Sequence, residues 1–219
     1  MGPIEIRADA DDLGDALQRV AANGGGSVQW WVSDPKPEHG EHARAFGLER
    51  GRDLFQLRRE LPAEAPAPIA LRPFAEGRDE LAWLEVNNRA FASHPEQGAW
   101  RLEQLVALES APWFDAEGFL LHEDAPSGRL TGFVWTKVHA RPEALGEIFV
   151  IGVDPDFGGQ GLGRALTLSG LDHLHRVRGV EHCMLYVDAD NHRALKLYAS
   201  LGFTRHHVDR AFFGTVAGH

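Results

Sequence analysis

Along the chain from residue 69 onward the spacing of apolar positions changes in an ordered way. Residues 69–74 alternate at a period of two and predict a strand, whereas 79–91 and 100–110 carry apolar side chains at helical spacing. Residues 118–122 and 130–139 flank Pro126-Ser127-Gly128 and predict a hairpin, and 147–153 is a further apolar strand rich in β-branched residues. The helix predicted over about 162–176 has leucines nearly all round, so more than one of its sides should be buried. After a short strand at 183–187, Asp190-Asn191 offers an N-cap. Ala194, Leu197, Tyr198 and Leu201 then recur at helical spacing, and Gly202-Phe203 supplies a glycine stop followed by an apolar residue. Residues 204–216 predict a last strand or hairpin. Strand, two helices, three antiparallel strands, helix, strand, helix, strand is an α/β order.

Residues 61–68 hold three prolines in eight positions, which stiffens the chain and excludes regular structure. The expected division is therefore a segment 1–60, a linker 61–68 and a domain 69–219. The first segment repeats the pattern of the C-terminal half. At an offset of 155 residues Val32 falls on Val187 and Phe46-Gly47-Leu48 on Leu201-Gly202-Phe203; at 149, Asp12-Leu13-Gly14 falls on Gly161-Leu162-Gly163. Residues 1–60 thus read as a partial, degenerate copy of the same fold. Where the C-terminal half is glycine-rich, this copy has Ala8-Asp9-Ala10-Asp11-Asp12, and Ala43 stands at the position of Tyr198. Carboxylates there would repel an anion, so scaffold is expected rather than a second active site.

The 219 residues suffice for a proper core, and 43% hydrophobic with 25% charged residues is an ordinary globular balance. A net charge of −10 disfavours nucleic acid and anionic membrane as partners. The single Cys183 excludes an intramolecular disulfide and a Cys-rich metal site and agrees with a reducing compartment. Twelve histidines show no metal-ligand spacing, and His206-His207 is expected at the surface. The opening Met1-Gly2-Pro3-Ile4-Glu5-Ile6 lacks a cationic-then-apolar segment and no run has transmembrane length. A cytoplasmic protein, monomeric or weakly self-associating and without a metal, is the expectation.

The candidate chemistry centres on residues 145–166, where an apolar strand passes through Val153-Asp154-Pro155 and a glycine cluster into a helix. Helix-start N–H groups without intrahelical partners, with the positive end of the dipole behind them, make an anion site. The spacing fits neither a dinucleotide fingerprint nor a phosphate loop, because the distal acidic residue and the Gly-Lys-Ser/Thr are both missing. Gly161-Leu162-Gly163-Arg164-Ala165 after Val153-Asp154-Pro155 instead resembles the pyrophosphate loop of the GCN5-related N-acetyltransferases. That resemblance implies acetyl-CoA as cosubstrate and an α/β fold with a mixed, mostly antiparallel sheet and flanking helices. The family loop reads Gln/Arg-x-x-Gly-x-Gly/Ala, and its first position falls here on Gly158, which has no side chain; Gln160 and Arg164 lie close enough in sequence to substitute. Diphosphate would sit on Gly158, Gly159, Gln160, Gly161, Leu162, Gly163 and Arg164, and the pantetheine amides on the main chain of Phe149, Val150, Ile151 and Val153. The resemblance also implies a general base at Glu147, at the start of the strand, and a general acid at Tyr198. Asn191 is open to two roles, orienting the pantetheine arm or capping its helix.

A closer resemblance rests on separate words: Asn88-Arg-Ala-Phe-Ala-Ser-His94-Pro-Glu96-Gln-Gly98, Trp113-Phe-Asp115, Gly132-Phe-Val-Trp135-Thr-Lys137-Val-His139, Gly146-Glu147 and Leu185-Tyr-Val-Asp-Ala-Asp-Asn191. Together these resemble the mycothiol synthase family, tandem acetyltransferases in which only the C-terminal domain is catalytic. The implied reaction acetylates the cysteinyl amine of a cysteinyl-glucosaminyl-inositol. Asn88, His94, Glu96, Trp135, Lys137, His139 and Glu147 are its candidate acceptor residues. The N-terminal half is shorter than the family's, so two alternatives stand beside this one: another small amine as acceptor, or a CoA-binding relative without turnover.

Overall fold

The structure is a computed structural model and describes residues 2–66, 69–92, 94, 97–139 and 144–218. Two compact units form within it. One comprises residues 1–57 with 186–219, the other 58–185.

In chain order the first unit opens with β1 (Ile4–Ile6), α1 (Leu13–Ala22), β2 (Gly25–Ser33), α2 (Pro37–Ala45) and β3 (Glu49–Glu60), whose last residues pass into the second unit. β1 runs parallel to β2, and β2 pairs antiparallel along its whole length with β9 (Thr204–Ala217), from Gly25↔Ala217 to Ser33↔Asp209. Trp30 is fully buried in this unit's core. It stacks on Phe212 with centroids 5.3 Å apart, and its indole N–H donates to the Ala8 carbonyl at 2.9 Å.

The two compact units group the chain differently from the expected segments. Residues 186–219 cluster with the N-terminal segment, and the boundaries fall at 57/58 and 185/186 rather than in the proline-rich stretch. The reason is that β2 has five consecutive buried residues, Val28 to Val32, and a strand buried on both faces needs neighbours. β9 supplies that neighbour as one continuous strand, not a hairpin. α6 (His192–Ser200) precedes it and closes as expected: Asn191 accepts from the Ala194 N–H, Gly202 has φ 80, and the Gly202 and Phe203 N–H groups reach the carbonyls of Ala199 and Tyr198.

The second unit holds β4 (Leu71–Pro73), α3 (Glu80–Ala90), α4 (Leu102–Glu109), β5 (Phe119–Glu123), β6 (Leu130–His139), β7 (Leu145–Val153), α5 (Leu162–Arg176) and the first half of β8 (His182–Asp188). β4 to β7 form an antiparallel meander and β8 adds parallel to β7. An aromatic core lies on the side of α3: Trp83, Phe119, Phe133 and Trp135 are all fully buried. α5 covers the opposite face so closely that a Cβ at Gly170 would come within 2.8 Å of Ile148 and Val134. The helix is buried on several sides, in agreement with its leucines. No helix among the described residues is long and apolar enough to cross a membrane.

Asp79, at the start of α3, ties that helix to β4. It accepts from Arg72 at 2.5 and 3.0 Å and from the Ala75 N–H at 2.8 Å. Burial works to raise its carboxyl, but the hydrogen bonds from Arg72, Arg78 and Ala75 outweigh this and hold it far below the usual carboxylate range. A carboxyl lowered in the folded state contributes its full stability above its unfolded value, about 3.9, and loses it as pH falls toward the lower native value. Melting temperature should therefore drop steeply below about pH 4, and less steeply in Asp79→Asn, as read by thermal denaturation at a series of pH values.

Candidate active site

β7 ends at Val153 and the chain turns at once. The Asp154 side chain accepts from the Asp156 N–H and caps a short 3-10 turn, Pro155–Phe157, that delivers the chain into the glycines. Gly159 and Gly161 both have φ 82, a left-handed conformation that side chains with a Cβ rarely adopt, and Gly161 is the N-cap of α5. Among the described residues the N–H groups of Gly159 to Gly163 have no hydrogen bond. They are main-chain donors gathered at a helix start. Beside it lies a cavity of about 760 Å³ that Phe157, Gln160, Leu162 and His122 help to line. Arg164 pairs with Glu64 of the proline-rich stretch. Both side chains of that pair are largely exposed.

The strand that feeds the loop is irregular where chemistry would need it. Trp135 of β6 lies opposite Val150 and Thr136 opposite Ile148, so Phe149 is an extra residue, a β-bulge. On the other edge, β8 pairs with β7 through Gly146↔Cys183 and Glu147↔Met184, and among the described residues of this unit no ladder continues from Ile148 to Val153. Neither feature could be read from sequence, because a bulge is a mismatch between two strands and not a property of one.

Glu147 sits at the last paired position and is buried, at 7% exposure. Its Oε2 lies 2.6 Å from Nε2 of His139. Lys137, directly across from Glu147, places its ammonium 4.4 Å from the Trp113 ring centroid and 5.3 Å from that of Phe149. Glu147, Lys137 and His139 thus come together on one face of the β6–β7 pair.

The remaining acceptor candidates do not join them. Trp135 is wholly inside the core, stacked on Phe119 with centroids 4.4 Å apart. The Asn88 side chain donates to the Trp100 carbonyl at 2.9 Å and accepts from its N–H at 3.1 Å, a pairing that anchors the loop after α3. His94 accepts from the Gln97 N–H at 3.1 Å in the same loop. Glu96 lies outside the described residues. Asn191, in the first unit, caps α6, which is one of the two roles open to it. Tyr198, also in the first unit, is buried beside Phe203, and burial pushes its hydroxyl up to about 12.

Sequence reading missed the clamp at the loop's entry. Asp154 has no exposed surface; Arg89 of α3 binds both its oxygens at 3.0 and 3.1 Å, and Arg129 reaches Oδ2 at 2.6 Å. Burial would raise this carboxyl, but the two arginines and the Asp156 N–H bring it below the usual range. The only trace in the sequence is the Asp of Val153-Asp154-Pro155, and nothing marks its partners 65 and 25 residues away. Asp154→Ala should cost about 1.5–3 kcal/mol through lost charged hydrogen bonds. Because both arginines are partly exposed they can hydrate instead, which keeps the cost from being larger. A denaturant midpoint unchanged from wild type would contradict the clamp.

The Acetyltransferase (GNAT) family matches residues 80–203, more than half of the chain. A mycothiol acetyltransferase of Thermobispora bispora is 51% identical over 205 residues, covering 90% of this chain and 68% of that one; its counterpart from Thermomonospora curvata is 50% identical, with 88% and 65% covered. This chain thus spans about two thirds of the length of these relatives. Among solved structures, a tandem GNAT protein from the clavulanic acid biosynthesis pathway superposes with a TM-score of 0.73 at 15% identity, covering 100% of this chain and 77% of that one, a likeness of fold alone. With a bulged strand running into a glycine turn and open helix-start amides, the chain belongs to the acetyltransferase (GNAT) family, and its sequence groups with the mycothiol acetyltransferases.

Proposed function

We propose that this chain transfers the acetyl group of acetyl-CoA to the cysteinyl amine of a cysteinyl-glucosaminyl-inositol, giving mycothiol and CoA. The observation that carries the reading is on β7, where a buried carboxylate, a bulge and an unpaired edge follow one another and lead into the open amides of the glycine turn. CoA supplies the activated thioester. The amides of Gly159 to Gly163 hold its diphosphate, and the free edge from Phe149 to Val153 holds its pantetheine arm and polarises the acyl oxygen. An α-amino group of this kind titrates near 7.7, so a carboxylate base suffices. Glu147 takes an amine proton as nitrogen attacks, and Tyr198 returns one to the departing sulfur.

The N-terminal segment supports this chemistry as scaffold. Its reading as a degenerate copy gains from element bounds at the same two offsets: Leu13 and Leu162 open α1 and α5, α2 spans Pro37–Ala45 against His192–Ser200 for α6, and β1 is parallel to β2 as β7 is to β8. The first turn of α1 and the 3-10 turn before it carry Asp11, Asp12 and Asp15, unfavourable neighbours for a phosphate. A reducing, cytoplasmic setting goes with a thiol product and with the buried, unpaired Cys183.

One observation favours a different small amine with the same donor. Asn88 and His94 are spent on the loop backbone and Trp135 on the core, which leaves Lys137 and His139 as the candidates at the acceptor face. Incubation with acetyl-CoA and the cysteinyl-glucosaminyl-inositol, followed by mass spectrometry, separates the two. An acetylated glycoside with stoichiometric CoA is expected. An unmodified glycoside, with acetylation of another amine in a panel, would transfer the assignment to that acceptor.

A further inference from the structure

A carboxylate base works only while it is ionised and turned toward its substrate. Glu147 is nearly excluded from solvent, with its side chain 9% exposed, while His139 is 33% exposed, so the histidine stands between the buried base and bulk water. The register explains the meeting. Lys137 is opposite Glu147 in the antiparallel pair, and His139, two residues on, points to the same face and reaches back diagonally. The Oε2–Nε2 separation of 2.6 Å is that of a charge-assisted hydrogen bond, and among the described residues Oε1 has none.

We propose that His139 is a positioning residue that sets the orientation of Glu147 and thereby its competence in turnover. This rests on Glu147 being the base for the acceptor amine. His139 donates its Nε2–H to Oε2, fixing the carboxylate so that the Oε1 lone pair faces the amine. Amine N–H breaks as O–H forms at Oε1; the proton leaves from there to solvent after the amide is made, and His139 keeps its own. The other groups facing this pair do not supply that hydrogen bond. Lys137 on β6 places its ammonium over Trp113 and Phe149. Cys183 on β8 is a thiol that burial pushes far up, with Glu147's charge adding to the effect; Arg59 on β3 acts the other way and is a fixed charge.

Two variants and one spectrum test this. His139→Ala should lower kcat by about tenfold or more, the worth of one hydrogen bond to a charged group, with KM for acetyl-CoA unchanged. His139→Gln, which can donate a hydrogen bond in its place, should recover most of that loss. A Gln variant as slow as Ala would overturn the proposal. Independently of turnover, the wild type should show a downfield imidazole N–H resonance, absent in both His139→Ala and Glu147→Ala; a protein without that resonance has no such contact. If the resonance is present and the aminothiol glycoside is not acetylated, the acceptor assignment fails while the contact stands.

Discussion

Glu147→Gln is expected to lower kcat by about 10²- to 10⁴-fold, the range associated with a positioned general base. The amide has nearly the volume of the carboxylate, so the β6–β7 pair, the bulge at Phe149 and the open edge of β7 should survive unchanged. KM for acetyl-CoA should accordingly remain within about twofold, because the main-chain groups proposed to hold CoA do not involve this side chain. Stability should not suffer either: replacing a buried ion by a buried amide removes a desolvation cost of several kcal/mol along with its compensating contacts. The combination is diagnostic. A large fall in kcat with intact acetyl-CoA binding and melting temperature identifies a group used in the transition state. A proportionate loss of all three would make Glu147 a structural residue of the sheet.

Tyr198→Phe comes next in size, with an expected loss of about 10²-fold in kcat if the hydroxyl delivers the proton to the sulfur. Phenylalanine keeps the ring that packs beside Phe203 and removes only the oxygen, so α6 should retain its cap and its stop. The pH dependence offers a second check. An ordinary tyrosine would lose its proton near pH 10, but burial pushes this one up to about 12. The kcat of the wild type should therefore show no basic limb from this group at or below pH 10. A limb near 10 that vanishes in the Phe variant would mean that Tyr198 is solvated during turnover. Unchanged turnover in that variant would make it a packing residue.

Much of this architecture is encoded over short distances. α5 spans Leu162–Arg176, the range its leucines predict, and α6 is bounded by the Asn191 cap and the Gly202 stop that its own residues supply. Such features depend on side chains and backbone groups within about one helical turn, so their signals stay intact in the sequence. The acidic turn at Asp9 to Asp12 and the glycine turn at Gly158 to Gly163 are likewise local, and their opposite suitability for an anion is legible without a fold.

Contacts between distant strands were not legible. Ser33 meets Asp209 across 176 positions, and β9 joins the N-terminal segment because β2 has buried faces and an edge to satisfy; period-two alternation identifies a strand but carries no address for its neighbour. The acceptor residues were sorted in the same way. Trp135, Lys137 and His139 alternate onto one face of β6, yet the α3 core takes Trp135 while Lys137 and His139 remain at the rim beside Glu147. Sequence alone therefore determined α5, the cap and stop of α6 and the glycine turn, because each is decided by neighbours along the chain. Only the tertiary structure decided the bulge at Phe149, the two arginines on Asp154 and the histidine on Glu147, because each is a relation between strands or helices that the chain brings together after they have formed.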